Sequence, residues 1–357
     1  MTANDRDAMN RTRPLINALP GEPAPYYLAS GEGQRYEVDG QLWTVIARPA
    51  DTGELFDAAF ILGPRGAGAP FHSLAEHQRT YHVFEGSVQF WLPGRSRVLT
   101  QGDSIHVPPG VPVAYRILGH GSRILFFSAP GGALDVLLDD DALAQARVEA
   151  HMYTAGGNAA SEQLVLPRGA RRHTDEPFTP ATDDWDDTLP DGIEPYFLRA
   201  MTGERLDWPD TIQTFNARGR NTGGRYFSVL SSAAPQPYFI RHFHQRHTEN
   251  FFCMSGRIWV YVNGEEVLLT PGDFVHAPAG TIHTFAIERH GTRLLGMLTS
   301  DIFEPFFEVT GDPTNEHIYT EGLITPEVFQ QRLIANAADL DLVVVGPPPT
   351  RTRALDL

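Results

Sequence analysis

A chain of 357 residues with 41% hydrophobic and 20% charged residues is long enough for two domains of ordinary size, each with its own core. A formal charge of −16 excludes affinity won by neutralising phosphates, so nucleic acid is not an expected partner. The single cysteine, Cys253, excludes an intramolecular disulfide framework, and because all 28 basic residues are arginine, Schiff-base chemistry that needs a lysine is excluded too.

The chain opens on MTANDRDAMNRTRPL, which lacks the apolar core of a signal peptide, and no run of about 18 apolar residues follows anywhere. A cytoplasmic protein without membrane contact is the expectation. From Pro25 onward the sequence repeats at a constant offset of 170 residues: Pro25-Tyr26 becomes Pro195-Tyr196, Gly33 becomes Gly203, His72 becomes His242, and Gly86 becomes Gly256. The register continues through Gly102-Asp103 and Gly272-Asp273, His106 and His276, Pro108 and Pro278, Gly110 and Gly280, to Gly121 and Gly291. Gly and Pro mark fixed turns, so two stretches that keep them in register share a backbone.

Within each copy, short β-rich runs such as RIWVYV, EVLLTPG and HTFAIE are broken about every eight to twelve residues by turn signals, which predicts a small closed barrel or jelly roll. The organisation expected is all-β, two tandem jelly-roll barrels: residues 1–132, then a helix and acidic linker over 133–190, a second barrel over 191–310, and a C-terminal helix and tail over 311–357. The linker helix is expected at LDDDALAQARVEAHMY, and the C-terminal helix after Thr325-Pro326, an N-cap followed by proline at the first helical position.

The second copy carries HFHQRHTENFFCMSG, in which His242 and His244 stand two apart and so face the same side of a strand. Glu249 lies an odd number of residues further on, so the polar QRHT must turn or bulge to bring it to that side. His283 follows the Pro-x-Gly turn of PGDFVHAPAGTIHTF. Three imidazoles and a carboxylate form a mixed N/O set that suits one divalent first-row metal, among Fe, Ni, Mn, Co and Cu, and leaves coordination sites open. By strand parity Tyr238, Ile240, Phe251, Cys253, Phe285 and Met297 are expected to share the inward face and line an apolar substrate pocket. His247, His276 and His290 do not fit the ligand spacing and are read as surface or supporting residues, and the match of His106 to His276 favours a structural role for both.

Carried back by 170, the four ligand positions hold His72, Leu74, Arg79 and Val113. Leucine and valine cannot bind a metal, and arginine places a fixed positive charge where the cation would sit, so the first barrel is expected to be metal-free. His77 and His82 could assemble a different site there, but a role as scaffold, dimer interface or pocket cap is the expectation for this barrel.

These segments resemble the two signatures of the cupin superfamily, glycine-x5-His-x-His-x4-Glu-x6-Gly and Gly-x5-Pro-x-Gly-x2-His. The first lacks only its leading glycine, where Gln236 stands; the second runs Gly272, Pro278, Gly280, His283 without departure. Within the superfamily, HFHQRHTENFF looks like the flavonol-cleaving quercetin 2,3-dioxygenases, which are bicupins. That resemblance implies a small aromatic substrate whose hydroxyl binds the metal, Glu249 as both ligand and base, consumption of O2 and release of carbon monoxide. A metal-dependent isomerase, cyclase or decarboxylase acting on a polyketide-like substrate would use the same residues, and a monomer and a homodimer are equally compatible with the sequence.

Overall fold

The computed structural model describes residues 9–138 and 170–350, and the expected linker helix lies outside them apart from its first residue. Two compact units are present: Glu32–Thr202 with Arg220–Thr222, and Met1–Gly31 with Gly203–Gly219 and Gly223–Leu357. The first contains a seven-stranded and a five-stranded sheet, the second an eight-stranded and a five-stranded sheet. Among the described residues no helix is long and apolar enough to cross a membrane.

Alternation builds each barrel. In the strand Ile258–Val262, Ile258, Val260 and Val262 enter the core beside Phe251 and Cys253, while Trp259 and Tyr261 pack outside with Tyr238 and Ala286. Its counterpart Ser87–Leu92 sends Val88, Phe90 and Leu92 inward against Tyr81 and Phe126. The strands Ile258–Val262 and Glu265–Leu269 are joined by Asn263-Gly264, both with positive φ, the pair a two-residue hairpin needs.

The compact units depart from the boundaries 1–132 and 191–310. The strand Tyr26–Leu28 pairs with Phe274–Ala277 of the second repeat, placing Tyr26 opposite His276, whereas Tyr196–Leu198 pairs with Ser104–Val107 of the first, placing Tyr196 opposite His106. The exchange is symmetric in detail. Ser30 N–H donates to the Asp273 carboxylate at 2.7 Å, and Ala200 N–H donates to that of Asp103 at 2.7 Å. Duplicated partners look alike in sequence, so the repeat cannot say which copy receives which strand.

The described end of the linker, from residue 170, packs on the first barrel. Arg171–Arg172 adds an edge strand against His72 and Ser73, and the Thr179 carbonyl accepts from Trp91 Nε1–H and Ser96 Oγ–H. The C-terminal helix runs Pro326–Asn336 with Thr325 Oγ1 accepting from Val328 N–H. Beyond it the chain forms an unforeseen strand, Val343–Gly346, which pairs with Arg241–Phe243 and so lies directly beside His242.

Candidate metal centre

His242 sits in the strand Arg241–Phe243, in register opposite His283 at the start of His283–Ile287. His244 follows at the strand's end, the chain turns through Gln245–Thr248, and Glu249 opens the strand Glu249–Ser255. The imidazole rings of His242, His244 and His283 lie 4.7, 5.1 and 5.2 Å apart pairwise, centre to centre. Glu249 Oε1 is 3.3 Å from His244 Nε2, and Oε2 is 3.2 Å from His283 Nε2.

The backbone decides which nitrogen of each ring is available. His242 Nδ1 is 2.9 Å from the Ile240 carbonyl, His283 Nδ1 is 2.9 Å from that of Thr281, and His244 Nδ1 is 2.5 Å from that of Asp341. A carbonyl oxygen only accepts, so each Nδ1 carries the hydrogen and each neutral ring keeps a lone pair on Nε2. Those of His244 and His283 face the oxygens of Glu249, an arrangement that repels unless a cation is shared between them, and His242 stands in one group with these two rings. Three imidazole nitrogens and a carboxylate therefore suit a divalent transition metal.

Protonation favours the same state. Burial, then the charges of His283 and His244, holds His242 well below its usual pKa, and burial followed by His247 lowers that of His244. Burial alone would raise Glu249; positive charge on the neighbouring rings, His244 first and then His247 and His283, outweighs it and holds the carboxyl well below the usual carboxylate range, the same demand for a positive neighbour that a shared cation meets.

Two residues outside the ligand spacing complete the cluster. Asp341, reached only after the C-terminal helix, accepts from the amides of Gln245 and Arg246 at 3.0 and 2.9 Å, while His247 Nδ1 lies 2.8 Å from its carboxylate. It thereby pins the turn that separates His244 from Glu249. His247 is buried rather than on the surface, its ring 3.9 Å from that of His244 and 4.6 Å from Phe303. Its Nε2 points toward Glu249 Oε1 at 3.9 Å without a hydrogen bond. No spacing rule flags Asp341, and the only hint in the sequence is an acidic residue just ahead of the apolar VVV.

The expected pocket lining is partly corrected. Phe251 and Phe285 stand on the site's side, with Phe251 5.7 Å from His283 and 6.0 Å from Phe285. Cys253 is in the same core, and burial pushes its thiol up to about 12. Ile240 is half-buried and contributes its carbonyl to His242. Tyr238 belongs to the outer cluster with Trp259, and its hydroxyl donates to Glu266 at 3.1 Å. Residues 237–240 are not in a strand, so counting by twos from His242 fails there, and it is Phe239 that approaches the His242 ring, at 6.3 Å. Gln236 forms an isolated bridge with Ile287, and its amide donates to the Pro209 carbonyl. Met297 pairs with Asn250, and Phe251 with Gly296, so Met297 lies on the face away from Glu249.

In the first repeat His72 keeps the same Nδ1 contact, 2.9 Å to the Pro70 carbonyl, but Leu74 and Val113 are core residues and Arg79 replaces the carboxylate. His77 Nδ1 is bonded to the Pro130 carbonyl, and among the described residues no group of metal-ligating side chains forms there. His106 bridges Thr80 and Gln78, and His276 Nδ1 meets Asn250 at 2.7 Å, each beneath the tyrosine of an exchanged strand.

Comparison with known proteins agrees with this architecture. The cupin domain pattern matches twice, at residues 59–128 and 229–294. The quercetin 2,3-dioxygenase of Bacillus subtilis (strain 168) is 31% identical over 350 residues, covering 93% of this chain and 98% of that protein. The quercetin 2,3-dioxygenase of Aspergillus japonicus is 29% identical over 140 residues, 37% of this chain and 40% of that one. In fold, a Bacillus subtilis oxalate decarboxylase variant aligns over 84% of this chain and 82% of its own with a TM-score of 0.53 at 15% identity. Protein Ylba of E. coli aligns over 83% and 97% with a TM-score of 0.52 at 12% identity.

Proposed function

The chain belongs to the cupin family as a bicupin, and on that premise we propose that it is a metal-dependent dioxygenase that opens a flavonol-like or other enolisable aromatic ring. His242, His244, Glu249 and His283 hold the metal in this reading, and Glu249 also serves as base. The observation that carries it is the clustering of His242, His244 and His283, each imidazole fixed by a backbone carbonyl on its far side, with the Nε2 atoms of His244 and His283 turned to the Glu249 carboxylate.

A bound divalent metal would supply Lewis acidity, lowering the pKa of a hydroxyl placed on it. Glu249, anionic and at the edge of the apolar wall, is positioned to receive that hydroxyl's proton. His247, held by Asp341, stands behind Glu249 and keeps a buried polar neighbour beside the charge it carries. Phe251 and Phe285 offer flat apolar surface to an aromatic substrate and exclude water from the reacting carbon. The name shared by the curated relatives supports the flavonol as first substrate to try.

The test is incubation of the metal-loaded protein with quercetin in air and under nitrogen, following flavonol absorbance and carbon monoxide. Loss of flavonol with carbon monoxide release in air alone is the expected result. Turnover of an enol substrate at equal rates without oxygen would transfer the assignment to a non-oxidative isomerase, cyclase or decarboxylase.

A further inference from the structure

We propose that Gln213 and Ser231 form a polar subsite inside the second barrel, which recognises a hydroxyl on the part of the substrate farthest from the metal. This rests on the reading of the second repeat as a metal centre for an aromatic enol. Protein interiors are close-packed, so bulk missing from one copy of a barrel is replaced by neighbours or by a ligand.

In the first repeat a cavity of about 30 Å³ has His72, Trp43, Tyr81 and Tyr115 in its wall. Trp43 pairs with Ile61 as Gln213 pairs with Ser231, and Tyr81 pairs with Phe126 as Phe251 pairs with Gly296. The offset of 170 therefore holds inside the barrel, and His242, Gln213, Phe251 and Phe285 occupy the points that line a single cavity in the first copy. What stands at these points differs. The Phe126 ring packs 6.1 Å from Trp43 and 5.2 Å from Tyr81, whereas Gly296 has no side chain. Trp43 and Ile61 belong to the apolar core of the first barrel; an amide and a hydroxyl replace them in the second. Val229 in place of Ala59 and Phe215 in place of Val45 return part of the bulk, but the Phe215 ring is engaged with Phe227 and Phe307, at 6.1 and 5.5 Å.

The row that carries the polar pair runs Gln213, Ser231, Leu294, Cys253 across the eight-stranded sheet. Cys253 is four residues beyond Glu249 on the same strand, about 13 Å along an extended chain, and Phe251 and Gly296 stand in the row between. A single phenol on the metal does not span that distance; a substrate with a second ring does. Gln213 is 2% exposed and Ser231 8%, and Ser231 Oγ–H donates to Gln213 Oε1 at 2.7 Å. That bond aims the amide: with Oε1 turned to Ser231, the Nε2 hydrogens point away from it as donors, and the Ser231 oxygen keeps lone pairs as acceptors. A phenolic hydroxyl both donates and accepts and so matches the pair, while an unsubstituted ring would leave buried polar groups unmet.

Equilibrium binding to the metal-loaded full chain under nitrogen, followed by flavonol absorbance, tests the subsite with two probes that share the metal-binding hydroxyl: quercetin, with hydroxyls on both outer rings, and 3-hydroxyflavone, with none. Wild type is expected to bind quercetin about tenfold more tightly. Gln213→Leu is expected to bring the two within about threefold of each other by weakening quercetin, with metal content unchanged. Comparable affinities for the two probes in wild type, or an undiminished preference in Gln213→Leu, overturns the subsite and leaves the metal-centre reading standing. Binding of neither probe to metal-loaded wild type overturns the flavonol reading and the subsite with it. Should Gln213→Leu not fold, Ser231→Ala must cut the preference by about threefold; an unchanged ratio there refutes the subsite.

Discussion

Each ring of the candidate centre is aimed by a hydrogen bond on its far nitrogen, and that makes single substitutions informative. His244→Ala removes one lone pair and is expected to abolish stoichiometric metal while leaving the circular dichroism spectrum intact. Asp341→Ala keeps all four proposed ligands yet frees the turn at Gln245–His247, so metal affinity measured by chelator competition is expected to fall by about 10- to 100-fold, the usual cost of losing an outer partner. Asp57 gives a separate prediction for pH. Its folded pKa of about 7 exceeds the ordinary 3.8, so the folded state holds a proton that the unfolded chain releases. Its contribution is complete below about pH 4 and is lost as pH rises toward 7. Asp57→Asn should flatten the denaturant-midpoint curve over that window, and an unchanged slope would show that Asp57 titrates normally.

At the scale of elements, turns and alternation carry most of the architecture. Gly33 and Gly203 occupy the same turn with φ of 128° and 126°, and a Cβ at Gly203 would meet the Phe215 carbonyl oxygen. Gly203→Ala is therefore expected to destabilise the fold by about 1–3 kcal/mol, read as a lowered thermal midpoint. The same local logic makes the four candidate ligands legible in sequence, because His-x-His fixes one face and QRHT marks the turn before Glu249. It fails where regular strand stops. Tyr238 lies beyond an irregular segment and Met297 depends on a cross-strand register, so parity counted along the chain assigns both to the wrong face. Asp341 escapes altogether, since a contact made across almost a hundred residues leaves no local pattern.

For the whole molecule, a constant offset is sufficient to reveal two copies of one backbone but silent on their exchange of first strands. Tyr26 is fully buried against Phe274 and His276 of the second repeat, so Tyr26→Ala should destabilise the unit that carries the candidate metal centre by about 3 kcal/mol, even though its own sequence copy is the first. The two copies differ at three of the four candidate ligand positions, His72 alone matching its counterpart His242, and where the second has Glu249 the first has a buried arginine. Leu74→Ala, in the first barrel's core, is accordingly expected to lower stability without changing metal content. The most direct measurement is elemental analysis of the purified wild type, His244→Ala and Leu74→Ala side by side. One divalent metal per chain in wild type and Leu74→Ala, with none in His244→Ala, is predicted; two metals per chain, or retention in His244→Ala, would contradict a single centre in the second repeat.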